Sequence, residues 1–376
     1  MGNATDRIIY IFLILVVLLS IANIGLVFSQ RAKVQKASRI AQQPAKLQLI
    51  SITADCPDCA DVGMIVQQIK RSNANITSEK SLSLDSKEAK ELIERYNITK
   101  LPTVIVQGEI NRTFLQGFGL KEDALVFEGQ GPPYFDVKAG KVVGRVVLLM
   151  LVDNTCKFCQ DPAVAVENLN KSKVSLSEVR KLDYKSSEAS DLIKKLGIKK
   201  VPALLISQDI DFYPIAQNLK QAGLKVVAGF YVVEGQPPYV EVESGKLRGL
   251  VKLTLLNDSS CSECYDVGIH RQVLERLGIY LSEEKTFDIL SKEGKELLNA
   301  YNITKVPTIL LTGDLAAYEG FSNLWLQVGS IEPDGTHIFR EMSALSGIFY
   351  KDLSSGKIVK ALPADVSQEQ SQVRIE

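Results

Sequence analysis

Cys56-Pro57-Asp58-Cys59 recurs as Cys156-Lys157-Phe158-Cys159 and again as Cys261-Ser262-Glu263-Cys264. Each first cysteine is followed 46 residues later by a proline behind an apolar residue: Leu101-Pro102, Val201-Pro202 and Val306-Pro307. A single Cys-x-x-Cys says little. The same long offset three times means that one supersecondary unit has been copied, so the chain is a triple repeat.

The 376 residues give three units of roughly 100 residues, near the common domain size. A hydrophobic share of 45% and a charged share of 23% are those of a globular protein. With 44 acidic and 44 basic side chains the chain offers no net field for nucleic acid, and nucleic-acid binding is excluded as a reading. All six cysteines lie in the three pairs. Loops closed over two residues constrain an unfolded chain very little, so the pairs point to redox chemistry or metal binding rather than to a stapled scaffold.

Residues 8–28 are almost wholly apolar and as a helix would extend about 31 Å at ~1.5 Å per residue, enough for a bilayer core. No small-x-small cleavage site is clear, so the segment reads as an uncleaved single-pass anchor. Arg31, Lys33, Lys36 and Arg39 follow it and favour a cytoplasmic body. Against them stand seven Asn-x-Ser/Thr sequons, at Asn3, Asn75, Asn97, Asn111, Asn170, Asn257 and Asn302. With 43 Ser and Thr in the chain, chance predicts about one or two. Asn97 and Asn302 also fit helix ends in a repeated Asn-Ile-Thr-Lys. The excess favours an extracytoplasmic body.

The expected organisation is an anchor at 8–28, a polar stalk at 29–45, repeats at 46–143, 144–248 and 249–360, and a disordered tail at 361–376. Each repeat opens with an apolar run, at 47–52, 146–152 or 251–256, which reads as a buried strand ending at the cysteines. A helical pattern follows, as in Val62, Ile65, Val66 and Ile69. Then come a strand ending in Asp85, Asp183 or Asp288, a second helix such as 86–96, and a β-branched strand after the proline. Tyr134, Tyr239 and Tyr350 precede Gly-Lys turns that close hairpins. Strands alternating with helices before a closing strand pair predict an α/β fold with a mixed sheet.

The Cys-x-x-Cys at a strand-to-helix junction, the Asp-ended strand and the stretch Tyr96-Asn97-Ile98-Thr99-Lys100-Leu101-Pro102-Thr103, copied at 301–308 and more loosely at 196–203, resemble the thioredoxin superfamily. The resemblance covers about 70 residues of each repeat. It implies three tandem thioredoxin-like domains, a mixed sheet flanked by helices in each, as in a protein-disulfide-isomerase-like array, and these follow the single transmembrane helix read at 8–28. It also implies that Pro102, Pro202 and Pro307 are cis and lie opposite the cysteines, with Leu101, Val201 and Val306 offering backbone groups to an extended substrate. Cys56, Cys156 and Cys261 would attack and Cys59, Cys159 and Cys264 resolve. A first cysteine at a helix N-terminus would be stabilised as thiolate by free amides and the helix dipole.

Two departures accompany the likeness. Asp55, Thr155 and Ser260 stand where the family often has tryptophan, and Ile50, Met150 and Leu255 where many members carry a buried carboxylate. Loss of that base would slow proton transfer.

The charges inside the pairs predict inequivalent sites. Asp58 and Glu263 disfavour a thiolate and Lys157 favours one, which would make Cys156/Cys159 the most oxidising pair unless screening levels all three. Asp61, Asp161 and Asp266, two residues after each second cysteine, fit helix N-terminal stabilisers better than proton acceptors. Ala60, Gln160 and Tyr265 exclude covalent haem. With one pair per domain, zinc is disfavoured, and no cofactor is expected. His270 and His337 do not recur and read as structural. The expected function is membrane-anchored thiol–disulfide exchange with protein thiols or disulfides, in either direction, with a membrane redox partner as a further candidate. The alternative is a non-catalytic array that docks extended peptides or a membrane redox partner.

Overall fold

A computed structural model describes residue 30, residues 44–72 and residues 74–362. The anchor expected at 8–28, all but three residues of the stalk and the tail beyond residue 362 lie outside the described residues. Among the described residues no helix is long and apolar enough to cross a membrane. Two compact units divide the chain between Arg145 and Val146.

In the first unit the apolar alternation of β1 (Ala45–Thr53) buries Leu47, Leu49 and Ile52. After the cysteines, α1 (Val62–Arg71) buries Val66 and Ile69 at helical spacing, and β2 (Ala74–Ser83) returns parallel to β1. Ser86 caps α2 (Lys87–Arg95) by accepting from the Ala89 amide, and Asn97 follows the helix at φ 48°. Two residues, β3 (Lys100–Leu101), precede Pro102, and β4 (Thr103–Gly108) then runs antiparallel to β1. β5 (Phe118–Lys121) and β6 (Ala124–Phe127) complete a sheet of order β2-β1-β4-β6-β5. A hairpin of β7 (Tyr134–Asp136) and β8 (Lys141–Val143) pairs with β3 in a separate small sheet.

The second unit holds the same plan twice. β9 (Val146–Val152) and β10 (Val251–Asn257) take the central place of β1, with α3 (Val164–Lys171) and α4 (Ile269–Arg276) after the cysteines. The strand after the proline, Ala203–Ser207 or Thr308–Gly313, again pairs antiparallel with the central strand, and each copy has its own three-stranded hairpin sheet. Between the copies the Arg248 guanidinium pairs with Asp314, and the Tyr318 hydroxyl donates to the Gly249 carbonyl at 2.7 Å.

Candidate functional site

Strand register brings each proline to its cysteines. Thr103 lies opposite Ile52, Ala203 opposite Leu151 and Thr308 opposite Leu256, so the residue before each of them sits beside the turn that leaves the central strand. Leu101-Pro102, Val201-Pro202 and Val306-Pro307 are all cis, as the resemblance implied. Cys56/Cys59, Cys156/Cys159 and Cys261/Cys264 are disulfides, with Cα atoms 5.3, 5.6 and 5.4 Å apart.

The cysteines do not open the helices. Regular helix begins at Val62, Val164 and Ile269, six to eight residues after the first cysteine; Asp61 caps the first, while Asp161 and Asp266 open a turn that precedes the other two. Their carboxylates accept from the amides of Gly63, Ala163 and Gly268 at 2.7, 3.1 and 2.8 Å. The helix dipole acts mainly within its first turn, so it reaches the sulfurs weakly. A local amide does so directly in the second repeat, where the Cys159 N–H donates to Cys156 Sγ at 3.1 Å.

Leu101, Val201 and Val306 pair with Phe135, Val240 and Lys351 of the return hairpins. The carbonyls of Thr99, Lys199 and Thr304 already accept from Val137, Val242 and Leu353. By the two-residue alternation of a strand, the backbone groups of Leu101, Val201 and Val306 point the same way, toward the hairpin. The chain has thus used the groups that the resemblance assigns to a substrate strand. Above each of these short strands a lysine ammonium lies over a tyrosine ring, Lys100 on Tyr134 at 4.6 Å, Lys200 on Tyr239 at 4.7 Å and Lys305 on Tyr350 at 5.8 Å. Those tyrosines are hairpin packing residues.

Around the cysteines the repeats differ. In the first, Arg145 holds Asp58 through two bonds, Nε to Oδ2 at 2.9 Å and Nη2 to Oδ1 at 2.5 Å, and Nη2 also lies 3.9 Å from Cys56 Sγ. The Arg145 bond keeps the Asp58 carboxyl below the usual carboxylate range. This corrects the expectation that Asp58 burdens the first site with bare negative charge. Arg145 is 87 residues away in sequence, and nothing near the pair announces it.

In the second repeat, Cys156, Cys159, Pro202, Asp153, Asp161 and Lys181 line one open groove of ≈ 230 Å³. Asp153 immediately follows the central strand. Burial alone would raise its carboxyl, but the Thr155 hydroxyl and amide bond it and bring it below the ordinary range. The strand-end carboxylate of Asp183 accepts from the Asn154 and Lys185 amides, at 3.2 and 2.9 Å.

The third repeat keeps both devices, with Asp258 bonded to Ser260 and Asp288 accepting from Ser259. Here Asp258 is fully buried, and Lys351 Nζ reaches it at 2.9 Å. Burial opposes the charge, yet the Ser260 and Lys351 bonds hold the carboxyl below its ordinary range. The first repeat has neither carboxylate. Its turn is one residue shorter, with Ala54 where the others have Asp153 and Asp258, and β2 ends at Ser83, so Asp85 is not the counterpart of Asp183 and Asp288.

Cys261 is only 8% exposed. The Tyr265 amide donates to the Phe349 carbonyl, and its hydroxyl donates to the Pro307 carbonyl at 2.8 Å. Because that carbonyl can only accept, the 3.0 Å contact between the hydroxyl and His270 Nε2 must take its hydrogen from the imidazole, which is therefore the neutral Nε2–H tautomer. Burial pushes His270 down to about 4 in agreement. His270 is a structural residue in the first turn of the helix Ile269–Arg276. Sequence reasoning missed Asp153, Asp258 and Tyr265, although an alignment of the repeats shows both aspartates three residues before a first cysteine.

No protein-family model matches the chain, and no curated protein does. Among solved structures, the alkylhydroperoxide reductase AhpF of Enterococcus faecalis is 18% identical over 47% of this chain and 88% of that one, with a TM-score of 0.16. Human ERp44 in its zinc-bound form is 11% identical over 77% and 87%, with a TM-score of 0.14. A protein disulfide oxidoreductase from Aeropyrum pernix is 14% identical over 44% and 78%, with a TM-score of 0.13. Such scores add nothing to the geometry of the sites. The chain carries three α/β repeats, each with a mixed five-stranded sheet, a Cys-x-x-Cys turn and a facing proline, the arrangement that the sequence resemblance implies.

Proposed function

We propose that the chain is a membrane-anchored thiol–disulfide oxidoreductase acting on protein thiols or disulfides. The observation that carries this reading is the second site, where a disulfide and a cis-proline share an open groove with two carboxylates and an ammonium. A partner thiolate would attack the first cysteine, Cys56 or Cys156, and the second would leave as thiolate. The partner's second thiolate then attacks its own sulfur in the mixed disulfide and expels the first cysteine. Two electrons and two protons pass to the chain while the partner gains a disulfide; the reverse sequence reduces a partner. The Asp161 and Asp153 carboxylates and the Lys181 ammonium line the same groove as the second pair and would relay its protons.

The partner would engage the cysteines and the cis-proline rather than add a strand along the edge already held by the return hairpin. The third site supports the alternative reading for that repeat alone: its buried Cys261 and doubly tied turn suit a stable disulfide in a docking domain. The anchor at 8–28 and an extracytoplasmic body belong to the same proposal. Exposed sequon asparagines at Asn75, Asn97, Asn111, Asn170 and Asn302 support the orientation. Trapping with Cys59→Ser and Cys159→Ser tests the function: mixed disulfides with a reduced protein substrate are expected from both, and their absence from both contradicts it.

A further inference from the structure

We infer that Arg145 tunes the first site, making Cys56 a stabilised thiolate and a good leaving group, and that Asp58 restrains it. The inference deepens the proposed exchange activity and rests on it for its biological meaning, but its test does not need activity.

Gly144 stands at φ +83°, and a side chain there would meet Pro132 Cβ at 2.4 Å, so glycine is required for the chain to turn this closely over the Pro132-Pro133 segment. The turn delivers the next residue, Arg145, to the cysteines. The same turn recurs at Gly249, at φ +85° and 2.4 Å from Pro237 Cβ, but there the next residue is Leu250. One backbone device therefore supplies a guanidinium in one copy and an apolar side chain in the other.

Asp55 and Asp58 lie within two residues of Cys56, and Arg145 lies against its sulfur and feels both carboxylates. The two acids would raise the cost of a thiolate, and Arg145 opposes them. Its Nη2 is shared between Asp58 Oδ1 at 2.5 Å and Cys56 Sγ at 3.9 Å. When the partner's second thiolate takes the partner sulfur from the mixed disulfide, Cys56 leaves with the electron pair of the broken S–S bond. The new negative charge forms beside that N–H. Asp58 competes for the same donor, so its removal should free Arg145 for the sulfur.

The test uses the reduced full-length protein in a Cys59→Ser background and follows iodoacetamide labelling of Cys56 against pH by mass spectrometry. Arg145→Gln is expected to raise the Cys56 midpoint by about one unit, the lower end of the shift an opposite charge at this range produces. Asp58→Asn should lower it, and Arg145→Lys should recover part of the loss. Opposite shifts from the two partners of one ion pair are not the mark of a merely structural bond. Midpoints that stay together, or that move in the same direction in both variants, overturn the inference. Loss of exchange activity with these midpoint shifts intact would instead count against the proposed function.

Discussion

The Tyr265 hydroxyl donates to the carbonyl of Pro307 at 2.8 Å, binding the third cysteine turn to the proline that faces it. Among the described residues no equivalent bond ties the other two, where Ala60 and Gln160 hold the place of Tyr265. Cys261/Cys264 should therefore be the slowest pair to open. Tyr265→Phe leaves the Pro307 carbonyl and the His270 N–H without their partner, and is expected to cost about 1–3 kcal/mol and to speed reduction of this pair several-fold. Differential alkylation during dithiothreitol reduction checks it; unchanged order and rate would contradict the pinning.

The buried Asp258–Lys351 pair should make the third repeat acid-sensitive. The Asp258 carboxyl is held below its unfolded value, so its contribution is complete above about pH 4 and is lost as pH falls through the lowered folded value. Asp258→Asn leaves Lys351 facing no carboxylate, and should lower stability by about 3 kcal/mol at pH 7, with a gap that narrows toward pH 3. Thermal unfolding at the two pH values reads both.

His270 gives a second dependence in a higher window. Its folded value of about 4 lies below an unfolded value of about 6.5, so the unfolded chain takes up the proton first and stability falls as pH drops through that interval. The loss should approach 3 kcal/mol at roughly 1.4 kcal/mol per unit. His270→Gln keeps a donor for Tyr265 and does not titrate. Urea midpoints measured from pH 7 to pH 4.5 should fall less steeply in the variant, and equal slopes would contradict the assignment.

Glycosylation is the sign that would fix the orientation. Protein isolated from its native membrane should carry glycan mass on peptides holding Asn111 or Asn170, both exposed and outside the positive-φ helix ends that explain Asn97 and Asn302. Unmodified asparagine at every sequon would favour the cytoplasmic side that Arg31, Lys33, Lys36 and Arg39 suggest.

The sequence carries the repeat, its strands and the proline positions because these are local or periodic signals. The 46-residue offset survives as strand register, with Thr103 opposite Ile52 and its two counterparts. The helices start later than expected because Cys-x-x-Cys does not mark them; the aspartate two residues on caps the first and opens a turn before the other two. Asp85 misaligns because Ser83 and Asp85 both look like strand ends, and only the parallel pairing of Ser83 with Thr53 decides between them. Arg145, Lys351 and Pro307 act on residues 87, 93 and 42 positions away, and contacts of that range leave no pattern in a single sequence.

The most direct measurement is thiol trapping of the full-length protein equilibrated across a series of glutathione redox buffers, with each pair read by mass spectrometry. Cys56/Cys59 and Cys156/Cys159 are predicted to titrate reversibly, and Cys261/Cys264 to open last. If the first two pairs also resist every buffer and no partner cysteine is ever captured, exchange is not what these sites do, and the chain is a scaffold held by three inert disulfides.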